Sequence, residues 1–344
     1  MNEIFIFVFV MENISNNLRV GVLGSGSFGT AIVKILSENL STVNWCVRDS
    51  YVKNFIQSEF RNPNYLTSVE FDTDKLFLTC NVDQLIENSD IIILVTPSIY
   101  LLDALKDRTL PLKDKVVITA IKGLLPQEFK IIGDYLREDL EIPEENIGVV
   151  SGPCHAEEIA LERLSYLTVA FTDPKKTNIA KELLTCDYVN VTSSEDIYGI
   201  EHAAVLKNSY AIAAGIAHGL GYGDNFQAVL MSNAIREMKK YLKKVSPIKR
   251  NVRNSVYLGD LLVTGYSYFS RNRMLGNMIG KGYTVKSALM EMNMVPEGYY
   301  ATNGIKKIAD SNDLKLPILK TVYKILYEGK TPKKQFRKLT HKLD

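Results

Sequence analysis

The chain has 344 residues, 46% of them hydrophobic and 23% charged, which suits a globular protein with enough apolar residues for two cores rather than one. A formal net charge of +2 gives no global reason to bind nucleic acid or an anionic membrane. The four cysteines, Cys46, Cys80, Cys154 and Cys186, form no Cys-x-x-Cys pair, so reduced thiols in a cytoplasmic enzyme are expected rather than a disulfide framework or a zinc site.

The first segment, IFIFVFVM from Ile4 to Met11, is apolar but too short to span a bilayer, and it lacks the basic start and cleavage site of a secretory signal. Residues 1–17 are read as an N-terminal extension or edge strand, with Met11 a possible alternative start. No later apolar run approaches about 20 uncharged residues, so stable membrane insertion is not expected. Strands are predicted at RVGVL, VNWCV, LFLT, IIILV, KVVITA, IGVV and YLTVAF, several of them followed by stretches of helical periodicity. That alternation predicts an α/β fold with a mostly parallel sheet covered on both faces. After Asp196 the pattern becomes helical, through KNSYAIAAGIAHGL, FQAVLMSNAIREMKKYL, VKSALMEM and LPILKTVYKILYEG. The expected organisation is therefore the extension, an α/β domain over residues 18–196 and an all-helical domain over residues 197–344.

A dinucleotide expectation rests on GSGSFG, comprising Gly24, Ser25, Gly26, Ser27, Phe28 and Gly29. It directly follows a strand and directly precedes the helical run TAIVKILSEN. In that context the first glycine permits a tight turn, the second lets the backbone approach a pyrophosphate, and the third allows close packing of helix on strand. The second strand ends in Arg48 and Asp49. The aspartate would bind the ribose hydroxyls of NAD, whereas the arginine would hold the extra phosphate of NADP, so use of either cofactor is expected. Further strand ends carry Thr96 and Pro97, then Lys122 and Gly123, then Gly152 and Pro153. In open parallel sheets such ends line the ligand cleft. On composition alone, a surface lysine on a loop is the favoured reading of Lys122.

Lys207 is harder to explain, because Ala204, Leu206, Ala211, Ala214 and Ile216 surround it at helical spacing. An ammonium there is costly unless it is paired or its pKa falls. A lysine snorkelling out of a half-buried helix is the plain alternative. The four histidines, His155, His202, His218 and His341, show no metal-ligand spacing, so satisfied structural roles and no bound metal are expected. The basic stretches KKYLKKVSPIKRNVR and TPKKQFRKLTHKLD lack aromatic stacking platforms. They are read as solvated surface or disordered tail rather than a nucleic-acid patch.

Taken together, GSGSFGTA, IKGL, GPCHAEE, LKNSYAIAAGIAHGLGYGDN and GDLLVTGYSYFSRNR resemble the NAD(P)-dependent glycerol-3-phosphate dehydrogenases of bacterial type, over most of the chain. The resemblance implies an N-terminal Rossmann domain, a C-terminal helical domain, and an oxidoreductase that interconverts dihydroxyacetone phosphate and sn-glycerol 3-phosphate for phospholipid synthesis. It implies Lys207 as the proton-transferring lysine, Lys122 as the second active-site lysine, and Asp260 with Thr264 orienting lysine and substrate. It also implies Ser270, Arg271 and Asn272 as the phosphate-binding run, with Gly152, Cys154 and Asn208 at the substrate. Cofactor contacts are implied for the glycine loop, Arg48, Pro97, Lys122, Ala156, Arg271, Val295 and Glu297. Two departures stand out: Cys154 replaces the usual serine, and Phe28 stands where tryptophan is frequent. A homodimer is the family expectation. The rivals are a 3-hydroxyacid dehydrogenase, a ketopantoate reductase, or a dinucleotide-binding module without turnover; the SRNR run argues against the first two, and Lys207, Lys122 and Asp260 together argue against the third.

Overall fold

The structure, a computed structural model, describes residues 18–344, so the predicted extension over residues 1–17 lies outside the described residues. The seven predicted strands are present as β1 Val20–Leu23, β2 Val43–Cys46, β3 Leu76–Thr79, β4 Ile91–Leu94, β5 Val116–Thr119, β6 Ile147–Ser151 and β7 Ser165–Ala170. An eighth, β8 Val189–Ser194, is absent from the sequence-based expectation. VNVTSS alternates buried and exposed residues and sits at the edge of the sheet, so it lacks the continuous apolar run that marks the interior strands.

The strand order is β3-β2-β1-β4-β5-β6-β7-β8. Val20 lies opposite Val43 on one side and Ile91 on the other, both pairings parallel. The chain order reverses beside β1, which opens a crevice at the carboxyl ends of β1 and β4. Among the described strands only β6 and β7 pair antiparallel, with Val149 opposite Ala170. All four residues of each of β1, β2 and β4 are buried, as expected of a sheet covered on both faces.

The helices accompanying the sheet are α1 Ser27–Asn39, α2 Ser50–Glu59, α3 Val82–Glu87, α4 Ser98–Leu105, α5 Ile132–Glu138, α6 Ala156–Ala160 and α7 Pro174–Leu184. Beyond the sheet come α8 Ile197–Gly219, α9 Asp224–Val245, α10 Asp260–Tyr266, α11 Arg271–Gly280, α12 Val285–Met290, α13 Glu297–Ser311, α14 Pro317–Leu326 and α15 Pro332–Thr340. None of the described helices is long and apolar enough to cross a membrane. The long helix α8 is buried on nearly every side because α9, α10, α11, α13 and α14 all pack against it.

The closest of these contacts is with α11. A Cβ at Gly276 would lie 2.1 Å from the Ile212 carbonyl oxygen, and one at Gly215 would lie 2.0 Å from the Arg273 carbonyl oxygen. Both obstacles are backbone, so no rotamer change can relieve them. Gly276→Ala is therefore expected to destabilise the protein by roughly 2–3 kcal/mol, the cost of forcing apart a packed contact. Chemical denaturation of the variant against wild type measures this, and an unchanged midpoint would refute the backbone contact.

The C-terminal tail corrects an expectation. Far from being solvated or disordered, α15 buries Gln335, Phe336 and Leu339, and Phe336 packs against Tyr222 and Phe226 at ring separations of 6.1 and 6.4 Å. Phe336 and Leu339 are three residues apart on one helical face, while the lysines take the other. The other basic stretch is solvated only in part: Lys239 and Lys240 face solvent, whereas the Arg250 side chain is buried and ion-paired with Asp196 at 2.6 Å.

Candidate active site

The glycine loop joins β1 to α1. Gly24 has φ of +123°, and a Cβ at Gly29 would lie 2.3 Å from the Gly24 carbonyl oxygen, so both positions need glycine for the turn to close. Two side chains hold the loop from outside. Trp45 Nε1 donates to the Gly24 carbonyl at 2.9 Å, while Asn62 Nδ2 donates to the Ser25 carbonyl and to Thr30 Oγ1, each at 2.9 Å. Neither was among the residues singled out from sequence, because their bonds run to main chain far away in the sequence.

The loop fits a dinucleotide. A Cβ at Gly26 would meet nothing within 4 Å, and α1 begins with no side-chain cap and no acidic residue in its first turn. Its first N–H groups are thus free to face an anion at an open approach. At the end of β2, Arg48 keeps an exposed side chain and its N–H lies 3.4 Å from Ser25 Oγ. Asp49, expected as a ribose ligand, also caps α2. Its carboxylate accepts from Val52 N at 2.9 Å and from Arg48 Nε at 3.0 Å, and these two donors hold its pKa below the usual range.

At the carboxyl ends of β4, β5 and β6 a cavity of about 190 Å³ opens between sheet and helices. The sheet side supplies Phe28, Thr96, Pro97, Lys122, Cys154, His155 and Ala156; the helical side supplies Lys207, Asn208, Asp260, Thr264, Ser270, Arg271, Asn272, Val295 and Glu297. Gly24 to Ser27, Gly29, Arg48 and Gly152 do not line it. Gly152 shapes the wall: its φ is +137°, and its carbonyl accepts the Cys154 S–H at 3.2 Å.

Lys207 does not snorkel. Its side chain is 4% exposed and is ion-paired with Asp260 Oδ1, itself in a side chain 2% exposed. Burial lowers the Lys207 pKa to about 8, Lys122 pushes in the same direction, and Asp260 opposes both. Asp260 is the first residue of α10 with Gly259 as the cap, so its carboxylate is used for the ion pair rather than for helix capping. The second carboxylate oxygen, Oδ2, accepts from Ser151 Oγ at 3.2 Å. Thr264 Oγ1 donates to the Asp260 main-chain carbonyl at 2.6 Å.

Lys122 is a cavity residue, not a surface one. Its Nζ lies 3.9 Å from Cys154 Sγ and 5.2 Å from the centroid of the Phe28 ring. Asn208 Nδ2 donates to its carbonyl at 2.8 Å, which ties the tip of β5 to α8. Burial opposes the Lys122 charge, whereas the Asp260 carboxylate favours it, and the Lys122 pKa is raised. Burial raises that of the Cys154 thiol, so it is uncharged at neutral pH.

The run at 270–272 occupies the start of α11. Ser270 caps the helix by accepting from Arg273 N at 3.2 Å, and Asn272 Oδ1 accepts from Gly298 N at 2.9 Å. The Ser270 hydroxyl proton, the Asn272 amide N–H groups and the Arg271 guanidinium remain to meet an anion at a helix N-terminus. Arg273 points elsewhere, with its guanidinium 5.0 Å from the Tyr268 ring. On the far side Glu297 accepts from Ser98 N at 2.7 Å and from Ser98 Oγ at 2.6 Å, linking α13 to the start of α4.

His155 departs from the expected satisfied role: its buried Nε2 has no hydrogen-bond partner and the residue lines the cavity. Burial, with Lys207 and Lys122 close by, lowers its pKa to about 4 and keeps the ring neutral. His202 is satisfied, its Nδ1 lying 3.1 Å from the Tyr241 hydroxyl. Among the described residues no group of His, Cys, Asp and Glu is arranged to hold a metal ion.

A glycine-loop parallel sheet facing a helical domain across a cleft with a buried lysine defines a two-domain nicotinamide-dinucleotide dehydrogenase. The family is narrower. Residues 19–177 match the model for the N-terminus of NAD-dependent glycerol-3-phosphate dehydrogenase, and residues 196–337 match that for its C-terminus. Similar proteins include the glycerol-3-phosphate dehydrogenase [NAD(P)+] of Macrococcus caseolyticus, 35% identical over 91% of this chain and 94% of that protein. That of Staphylococcus carnosus is 33% identical over 90% of this chain and 94% of that protein. The crystal structure of glycerol-3-phosphate dehydrogenase from Coxiella burnetii superposes with a TM-score of 0.86 at 26% identity, covering 94% of this chain and 98% of that one. The chain belongs to the NAD-dependent glycerol-3-phosphate dehydrogenase family.

Proposed function

We propose that this chain reduces dihydroxyacetone phosphate to sn-glycerol 3-phosphate with NADH or NADPH, reversibly, and so supplies glycerol 3-phosphate for phospholipid synthesis. The observation that carries the reading is one cavity lined both by the buried Lys207–Asp260 ion pair and by the run Ser270, Arg271 and Asn272. A proton donor thus faces the same small space as a phosphate anchor.

The first turn of α1 would hold the pyrophosphate, Arg48 the adenosine end, and Pro97, Ala156, Val295 and Glu297 the nicotinamide end. When bound, the cofactor supplies the hydride that reaches the carbonyl carbon of the substrate. Arg271, Ser270 and Asn272 bind the phosphate dianion. In reduction the Lys207 ammonium gives its proton to the developing alkoxide, and in oxidation the neutral amine takes it back. Lys122, held charged beside the same oxygen, stabilises the alkoxide. Asp260 keeps the two ammonium groups from repelling one another. Asn208 fixes the tip of β5 that carries Lys122, and Gly152 with Cys154 forms the wall behind the substrate.

This reading takes residues 18–196 as the dinucleotide-binding domain and 197–344 as the substrate and catalytic domain, an assignment that the last strand ending at Ser194 supports. It takes the protein as a cytoplasmic homodimer that acts on small molecules and has no nucleic-acid partner. Absorbance of NADH and NADPH followed separately with dihydroxyacetone phosphate, oxaloacetate and ketopantoate tests the whole reading. Oxidation of the nucleotide is expected with dihydroxyacetone phosphate alone. Turnover of either other substrate in its place would overturn the assignment.

A further inference from the structure

Ser151 is 1% exposed at the carboxyl end of β6, and none of the functions described above accounts for its side chain. Its hydroxyl donates to Asp260 Oδ2, while Oδ1 of the same carboxylate meets Lys207. The Thr264 hydroxyl goes to the main-chain carbonyl of Asp260, so among the described residues Ser151 is the one hydroxyl that reaches this carboxylate. The bond also joins two parts of the fold: Ser151 belongs to the sheet and Asp260 to the helices beyond it.

We propose that Ser151 is a positioning residue of the active site, whose hydroxyl holds the Asp260 carboxylate from the sheet side and sets how tightly that carboxylate grips the Lys207 ammonium. This rests on the functional reading above. A buried carboxylate distributes its charge among the donors it has, and here the donors are one neutral hydroxyl and one ammonium. With the hydroxyl removed, Oδ2 loses its one side-chain hydroxyl donor at a buried position. The carboxylate then leans more heavily on the ammonium, and Lys207 keeps its proton to higher pH. The other titratable groups facing Lys207 are Lys122 from the tip of β5, Cys154 and His155 from the loop before α6, with Arg271 from α11 and Glu297 from α13 lining the same cavity. None of these is altered by a change at Ser151, so a shift in the titration of Lys207 reports on the Asp260 contact.

Two readouts test the inference. The first is the pH profile of kcat/KM for glycerol 3-phosphate oxidation in wild type, Ser151→Ala, and the near-isosteric pair Ser151→Thr and Ser151→Val. The Ala and Val variants are expected to titrate about half to one pH unit higher than wild type, the scale of one ordinary net hydrogen bond, and to recover rate in alkali; Thr retains the wild-type midpoint. Asp260→Asn, which removes the charge itself, moves the midpoint the other way. The second readout needs no turnover: competitive acetylation of Lys207 by acetic anhydride, quantified by mass spectrometry across pH, is expected to show the same upward displacement in the variants lacking the hydroxyl. Coincident labelling profiles for Thr and Val variants would overturn the inference whatever the enzyme's substrate. A displaced labelling profile in a protein inert toward glycerol 3-phosphate would sustain the Ser151 contact and overturn the functional reading instead.

Discussion

Lys207→Ala is expected to lower turnover in both directions by about 10²- to 10⁴-fold, the range supplied by a positioned acid or base. A lysine in water near pKa ~10.4 is almost wholly protonated at neutral pH and would serve reduction but not oxidation. Burial in α8 brings Lys207 down to about 8, so both protonation states are accessible in the working range. The sign follows from the roles. Oxidation of glycerol 3-phosphate needs the neutral amine and should rise as pH passes upward through about 8; reduction needs the ammonium and should fall over the same interval. The variant should lose both limbs. Because removing the amine strands the Asp260 carboxylate in a buried place, some loss of stability is also expected. Circular dichroism at the assay temperature therefore accompanies the kinetics, and partial rescue by a small primary amine separates lost chemistry from lost folding. Wild-type turnover in a folded Lys207→Ala protein would remove the lysine from the mechanism.

The second large effect is on substrate binding. Arg271→Ala is expected to raise KM for dihydroxyacetone phosphate by roughly two orders of magnitude, corresponding to about 3 kcal/mol for a charge-assisted guanidinium contact with a phosphate dianion. Arg271→Lys keeps the charge but loses the planar fork and should recover only part of the affinity. Arg273 offers an internal control, since its guanidinium lies over the Tyr268 ring rather than along the cavity. Steady-state kinetics with substrate varied at saturating NADH decides the matter; an unchanged KM for the Arg271 variant would refute the phosphate role.

Local features proved readable from sequence, whereas tertiary ones did not. The interior strands announce themselves as apolar runs, and the glycine loop as a strand, a turn and a helix in immediate succession, because both depend on neighbours in the chain. Edge strand β8 escaped notice because half of it faces solvent. The α15 segment looked like a charged tail because two buried apolar residues, Phe336 and Leu339, are easily lost among the surrounding lysines and arginine. The capping role of Asp49 was not read from sequence, although an aspartate before a helix is a common cap. Ser98, Ser151, Asn62 and Trp45 hold the loop or the charged side chains through bonds to residues distant in sequence. Nothing in their spacing signals such a role. The buried lysine at 207 did carry a signal, since a cation amid apolar helix positions demands a partner, but only the fold brings Asp260 to it.

The glycine-mediated crossing of α8 and α11 has a bearing on substrate choice. One helix carries Lys207, the proposed proton donor, and the other begins with the run proposed to hold the phosphate, and where they touch, peptide lies against peptide with no side chain between. The spacing of the main chain that carries Lys207 and Arg271 is thereby set by peptide against peptide, like the frame of a caliper. Fit to the length of the substrate's carbon skeleton is accordingly expected to depend on this crossing, with Lys122 closing the same cavity from the sheet side.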